Sequence, residues 1–184
     1  VFLEQSTPDQ GYGKELREKI QAFDPDYIGY SFRNLYNLGQ PQVRTGSLTD
    51  FFCVSQDAPV IEFIRICSGA PIIGGGAAFS LAPELYMKTL SLDYGIQGEG
   101  DYLLVALLDM LDHGQNTEAL PGLVYRKGGD IRKNPVDSRG SGASYTMDLS
   151  SLDEHKGLYY DRGGYGSVQT KRGCGFHCSY CVYP

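Results

Sequence analysis

The chain has 184 residues, of which 41% are hydrophobic and 21% are charged, and its formal net charge is -6. This composition is typical of a soluble globular protein with room for one domain and part of another, and the acidic balance argues against DNA or RNA as a partner. The apolar runs are too short to cross a bilayer, so we expect a cytoplasmic protein without a transmembrane segment.

The chain opens with a helix-like segment between two strand-like ones. Residues 1–5 predict a strand, and residues 14–23 predict a helix that Pro25 stops. Residues 26–31 then predict a buried strand. The apolar face of the helix is expected to consist of Leu16, Ile20 and Phe23.

A second helix and strand follow in the same order. Asp57 is the predicted cap of a helix with Pro59 in its first turn, and residues 70–73 predict the next strand. The run Gly74-Gly75-Gly76 predicts a turn toward a helix near residues 83–90. The buried positions expected on the helix after Asp57 are Val60, Ile61, Ile64 and Cys67.

The pattern repeats once more before residue 115. Residues 92–96 predict a strand, and Gly98-Glu99-Gly100 turns into a helix with leucines along one side. These leucines are Leu103, Leu104, Leu107, Leu108 and Leu111. Strands that alternate with helices predict a parallel sheet covered on both faces.

The last third of the chain has a different pattern. Residues 123–126 and 131–133 flank Lys127-Gly128-Gly129-Asp130 and predict a β-hairpin. Residues 135–144 are polar and rich in glycine and serine, which predicts a connector. Residues 165–170 predict a strand that delivers a cysteine-rich loop at its carboxyl end.

Three of the five cysteines, Cys174, Cys178 and Cys181, lie in that loop at a Cys-x-x-x-Cys-x-x-Cys spacing. A short loop with this spacing can hold an iron–sulfur cluster through thiolates, and three ligands for a four-iron cluster leave one iron open. Lys171 and Arg172 place positive charge beside the first thiol, which favours the thiolate. The motif therefore indicates a reactive metal centre.

Two alternative interpretations of the cysteines stay open. The three thiols together with His177 could form a structural zinc site, although His177 is adjacent to Cys178 and neighbouring side chains rarely reach one metal together. Disulfides would require an oxidising compartment, and the cysteine count is odd. Cys53 and Cys67 lie in apolar surroundings and are interpreted as small buried residues.

The segment Lys171-Arg172-Gly173-Cys174-Gly175-Phe176-His177-Cys178-Ser179-Tyr180-Cys181 resembles the signature of the radical S-adenosylmethionine (SAM) enzymes. The resemblance implies a [4Fe-4S] cluster held by Cys174, Cys178 and Cys181, with SAM chelated by the open iron and Tyr180 near its adenine. It also implies reductive cleavage of SAM, and hence an electron donor such as flavodoxin or ferredoxin.

Three turns are expected to meet at the carboxyl edge of the parallel sheet, where open sheets bind ligands. They are Ser31-Phe32-Arg33-Asn34, Gly74-Gly75-Gly76 and Gly98-Glu99-Gly100. Glycine-rich turns also connect any strand to a helix, so this pattern alone leaves both interpretations open.

The order of these segments resembles the cobalamin-binding domain that precedes many radical SAM cores, over residues 1–112. The resemblance implies a flavodoxin-like fold in which Ser31, Gly74 and Gly75 line the pocket for the nucleotide tail of cobalamin. The sequence departs from the pattern because the Asp-x-His-x-x-Gly motif that supplies an axial histidine is missing, and Arg33 stands where an aliphatic residue is usual. Residues 1–5 would match the second strand of the domain.

These observations predict an α/β protein with three parts. A flavodoxin-like, Rossmann-like parallel sheet spans residues 1–115, a hairpin and linker span residues 116–144, and the first strand and cluster loop of a truncated radical SAM barrel span residues 145–184. We expect the N-terminal part of a longer enzyme, inert by itself, that acts on a small molecule. The implied reactions are oxidative cyclisation, as in magnesium-protoporphyrin monomethyl ester cyclases, and methyl transfer. The alternative is a non-catalytic module that binds a small ligand and ends in a structural metal loop.

Overall fold

The computed structural model describes residues 12–32 and 54–136, together with residues 157, 160, 161, 178 and 179. The predicted strands at residues 1–5 and 165–170 lie outside this part of the chain. The chain divides into two compact units, residues 1–140 and 141–184. The three domain ranges expected from the sequence remain a prediction.

All helices and strands with defined bounds belong to the first unit. In chain order they are α1 (Tyr12–Phe23), β1 (Ile28–Ser31), α2 (Val54–Cys67), β2 (Ile72–Gly75), α3 (Ala77–Leu81), α4 (Pro83–Thr89), β3 (Tyr94–Ile96), α5 (Gly100–Asp112), β4 (Leu123–Lys127) and β5 (Asp130–Lys133).

The strands form one mixed sheet in the order β1-β2-β3-β4-β5. β1 pairs with β2 and β2 with β3 in parallel, whereas the β3–β4 and β4–β5 pairs are antiparallel. The α/β class and the hairpin are therefore confirmed. The hairpin extends the same sheet, because Tyr94 of β3 lies opposite Tyr125 of β4.

Two apolar clusters cover the two faces of this sheet. Neighbouring residues of a strand point to opposite faces, and Ile72 and Ile73 of β2 accordingly belong to different clusters. The first cluster holds buried side chains from α2, α3 and α4, including the fully buried Phe79 and Tyr86. The second holds Leu103 and Leu107 of α5. The expected covering of both faces is confirmed for the described residues.

Two predictions about the first helix and strand were wrong. Phe23 is 81% exposed because it is the last residue of α1, whereas Leu16 and Ile20 are half-buried as part of the helix face. β1 is not buried throughout, since Gly29 and Ser31 are exposed while Ile28 and Tyr30 pack against the first cluster.

The region around the second strand also differs from expectation. α2 begins at Val54, so Asp57 lies inside its first turn and is not the cap. β2 continues through Gly74 and Gly75, which pair with Tyr30 and Ser31, and only Gly76 forms the turn. The short helix α3 between that turn and Pro83 was not predicted.

Candidate functional site

The carboxyl ends of β1 and β2 are joined by backbone hydrogen bonds. The Phe32 amide donates to the Gly75 carbonyl over 2.8 Å, and the Phe32 carbonyl accepts from the Ala78 amide over 2.9 Å. Gly76 has a φ of +93°, and a Cβ atom there would lie 2.7 Å from the Phe32 carbonyl oxygen and 2.9 Å from Ser31 Oγ. Only glycine fits this turn, and it brings Ser31 and Gly76 together.

The turn after β3 is joined to α3 by two hydrogen bonds to one residue. The Gly98 amide donates to Ser80 Oγ over 3.0 Å, and Gln97 Nε2 donates to the Ser80 carbonyl over 2.9 Å. The Ser80 hydroxyl donates to the Gly76 carbonyl over 2.9 Å. Sequence reasoning missed Ser80 and Gln97, because the contact joins residues that only the fold brings together.

The structure brings several of the predicted cofactor-binding residues to this edge, with different exposures. Ser31, Gly98 and Glu99 are exposed, whereas the remaining predicted glycines are half-buried or buried. Gly74 is buried for packing, since a Cβ atom there would lie 2.6 Å from Leu92 Cδ1. A Cβ atom on Gly100, by contrast, would have no neighbour within 4 Å. The role of Gly74 is therefore to allow close packing beneath this edge.

This edge fits an extended ligand that forms hydrogen bonds, such as the nucleotide tail of cobalamin. Ser31 presents an exposed hydroxyl, and a Cβ atom on Gly75 or Gly100 would meet nothing closer than 3.8 Å, so the backbone is open to close approach there. Ligands of open parallel sheets bind in the crevice beyond the carboxyl ends of the strands. The Ser31 hydroxyl and the absence of bulky side chains at these positions therefore agree with the group that the sequence implies.

The described residues bring no histidine to this edge. α5 begins beside the carboxyl ends of the strands and runs back along the sheet. His113, at the end of α5, therefore lies near the amino ends of the strands. His113 Nδ1 lies 2.7 Å from the Asp109 carbonyl oxygen, and this contact together with the Asp109 charge raises the pKa of His113. His113, at the carboxyl-terminal end of α5, therefore does not reach this edge.

A half-buried hydrogen bond lies beside the candidate edge. The Tyr30 hydroxyl donates to Asp57 Oδ1 over 2.9 Å and joins β1 to the first turn of α2. Burial raises the pKa of Tyr30, and the Asp57 charge raises it further. Burial also raises the pKa of Asp57, while the hydrogen bond from Tyr30 lowers it. The pair pins the two ends of the segment between β1 and α2.

A depression of about 410 Å³ lies at the opposite edge of the sheet, beside Tyr94 and Tyr125. The charged groups around it are already engaged. Arg126 donates to the carbonyl oxygens of Met87 and Leu92, and Lys127 pairs with Glu118 over 2.6 Å. These bonds attach the hairpin to the rest of the domain, so the depression has a structural explanation.

Of the three predicted cluster ligands, Cys178 lies among the described residues and is an exposed free cysteine. Cys174, Cys181 and Tyr180 lie outside that part of the chain. Within residues 12–32, 54–136 and the five single residues, no group of three or more His, Cys, Asp or Glu side chains could hold a metal. Cys67 is half-buried and free. The cluster ligands therefore remain a prediction from the motif.

The described residues form an α/β domain whose parallel strands end at an edge lined by Ser31 and the glycine turns. No known family profile matches the chain. It is 26% identical over 172 residues to an uncharacterised methyltransferase of Pyrococcus horikoshii, covering 91% of this chain and 33% of that protein. Among solved structures, it resembles the radical SAM methyltransferase TsrM from Kitasatospora setae with tryptophan substrate and a SAM analogue bound. That similarity has a TM-score of 0.65, 26% identity, and coverage of 92% of this chain and 32% of TsrM.

A second TsrM structure, with cobalamin and a [4Fe-4S] cluster bound, has the same fold with a TM-score of 0.66 and 24% identity. It covers 92% of this chain and 33% of TsrM. The cofactors of these neighbours are thus the ones that the sequence implied, and the alternative of a non-catalytic module is not favoured. The chain spans about a third of the length of the proteins it matches. In the described part, no helix combines the length and apolarity needed to cross a membrane.

Proposed function

We propose that the chain is part of a cobalamin-dependent radical SAM methyltransferase that acts on a small organic molecule. The observation that carries this proposal is the similarity to TsrM over 92% of the chain, which accompanies the three-cysteine motif. Of the two reactions expected from the sequence, methyl transfer is the one that the names of these relatives carry. A small reduced protein such as flavodoxin or ferredoxin would supply electrons.

The cysteine loop has the chemistry for cluster binding. Cys174, Cys178 and Cys181 would supply three thiolates, and the exposed position of Cys178 leaves its sulfur accessible to iron. Lys171 and Arg172 favour the thiolate of the first cysteine, and Tyr180 would contact the adenine of SAM. When bound, the cluster, SAM and cobalamin supply the one-electron and methyl-transfer chemistry.

The carboxyl edge of the sheet would hold the nucleotide tail of cobalamin. Ser31 offers a hydroxyl, Gly75 and Gly100 would let the backbone approach the ligand closely, and Gly76 and Gly98 form the turns that frame it. Glu99 and Gly100 begin α5 at the same edge. Because His113 lies at the far end of α5, cobalamin would bind here without a histidine ligand from the described residues.

Anaerobic reconstitution of the full-length protein with iron and sulfide tests the proposal. We expect about four irons per chain and reductive cleavage of SAM. Replacement of Cys174, Cys178 or Cys181 by alanine should each abolish both, whereas Cys67→Ala should leave the iron content unchanged as the matched control. Stoichiometric zinc without SAM cleavage, or full iron content in the variants of the loop, would contradict the proposal.

A further inference from the structure

The pairing of the parallel strands β2 and β3 ends one residue before each strand does, and a turn follows each strand. Their register runs through Ile73 opposite Tyr94 and Gly74 opposite Gly95. Beyond that point the chain turns at Gly76 on one side and at Gly98 on the other, both with a φ of +93°. Both turns thus lie beyond the last paired residues of the two strands, where side-chain hydrogen bonds can join them.

Ser80 joins the two turns, and its backbone amide also donates to the Gly76 carbonyl over 2.9 Å. Its hydroxyl donates to the Gly76 carbonyl over 2.9 Å and accepts from the Gly98 amide over 3.0 Å. The hydroxyl therefore donates its hydrogen to the turn at Gly76 and accepts, through a lone pair, from the turn at Gly98. Among the described residues, Ser80 is the point at which both turns are held by one group.

Gln97 reinforces the same connection and extends it to the hairpin. Its side-chain amide donates to the Ser80 carbonyl over 2.9 Å, and its backbone amide donates to the Gly122 carbonyl over 2.8 Å. The turn after β3 is therefore hydrogen-bonded both to α3 and to Gly122, the residue before β4. The side chains of Ser80 and Gln97 therefore connect the turn after β2 with the turn after β3.

We propose that Ser80, supported by Gln97, is a positioning residue that sets the spacing of the two glycine turns for the nucleotide tail of cobalamin. This inference rests on the proposed function, because it takes cobalamin as the ligand of the edge. Ser80 acts through the backbone of Gly76 and Gly98, which would face the tail, and a ligand without that tail gains nothing from the spacing.

The test compares two ligands on the full-length protein by equilibrium dialysis. Hydroxocobalamin carries the nucleotide tail, and cobinamide is the same corrinoid without it. We expect Ser80→Ala to weaken hydroxocobalamin about five-fold, as loss of one hydrogen bond predicts, and to change cobinamide less than about two-fold. The ratio of the two affinities is the readout, because a general loss of stability would lower both.

Ser68→Ala is the matched control. The Ser68 hydroxyl also accepts a backbone amide, that of Ala70 at 3.1 Å, but it lies at the opposite end of β2. We expect this variant to leave the affinity ratio unchanged. Gln97→Met keeps the side-chain length without the donor and should shift the ratio in the same direction, so it decides the matter if Ser80→Ala does not fold.

The outcomes separate the two proposals. Equal losses for both corrinoids, or no loss for hydroxocobalamin, would overturn the role of Ser80 and leave the proposed function standing. Wild-type protein that binds neither corrinoid would overturn the cobalamin part of the proposed function and this inference together.

Discussion

The half-buried pair Tyr30 and Asp57 makes the stability of the folded protein depend on pH. Burial raises the pKa of Asp57, so the folded protein holds a proton on this carboxyl more readily than the unfolded chain does. The stability from that proton is fully present below the ordinary pKa of aspartate and is lost as the pH rises through the raised pKa. The carboxylate at neutral pH therefore works against folding, although the Tyr30 hydroxyl compensates in part.

We expect Asp57→Asn to remove this pH dependence, because the amide is neutral at every pH and its oxygen still accepts from Tyr30. As the pH rises from below the ordinary pKa of aspartate to neutrality, the free energy of unfolding of the variant should rise relative to that of wild type, because only the wild-type carboxyl loses its proton. Urea unfolding at several pH values measures this difference. Asp26→Asn, at an exposed position, is the control, and parallel pH curves for Asp57→Asn and wild type would refute the expectation.

At the scale of elements, the distance between α3 and the sheet depends on a glycine in β3. A Cβ atom on Gly95 would lie 2.0 Å from Cζ of Phe79, a fully buried ring of α3. The Phe79 ring thus occupies the space that a side chain of β3 would otherwise fill. Close packing of a strand backbone against an aromatic ring has little room to adjust.

Gly95→Ala should therefore lower the free energy of unfolding by about 1–3 kcal/mol through overpacking, as measured by urea titration of the purified protein. Gly29→Ala is a matched control, since Gly29 is also a strand glycine but a Cβ atom there would meet nothing within 4 Å. Its effect should lie within about 1 kcal/mol of zero. Equal losses in the two variants would mean that the contact with Phe79 does not decide the outcome.

Local patterns predicted which elements exist better than where they end. The leucine spacing predicted α5, and Pro83 predicted the start of α4, because both signals act within one helical turn. The run Gly74-Gly75-Gly76 looked like a turn, yet its first two residues belong to β2. The reason is tertiary, since Leu92 and Phe79 occupy the space beside Gly74. No local pattern carries that information.

The candidate site divides in the same way. The cysteine spacing is a local signal that predicts metal chemistry by itself, and its ligand assignment remains a prediction. Ser31 and the glycine turns were predicted from their order along the chain. Ser80 and Gln97 were not, because their hydrogen bonds join residues 17 and 18 positions apart.

At the scale of the whole molecule, the residues of the two candidate sites belong to different compact units. The sheet edge lies in residues 1–140, and the three cluster cysteines lie in residues 141–184. We therefore expect cofactor loading to be separable in the full-length protein. Cys178→Ala should lose the iron and keep the wild-type affinity for hydroxocobalamin, while Ser80→Ala should keep the iron. Iron analysis and equilibrium dialysis on the same preparations measure both, and joint loss of the two cofactors in either variant would contradict this expectation.

The antiparallel hairpin has a consequence for self-association. Within the described part of the sheet, β5 has a neighbour on one side only, and a margin of unpaired backbone groups can template the growth of intermolecular sheets. β5 is four residues long and carries Asp130, Arg132 and Lys133, all exposed. A second copy of the chain that paired a strand with β5 would have to accommodate these charges. The charged hairpin therefore disfavours fibre-like aggregation through this edge strand.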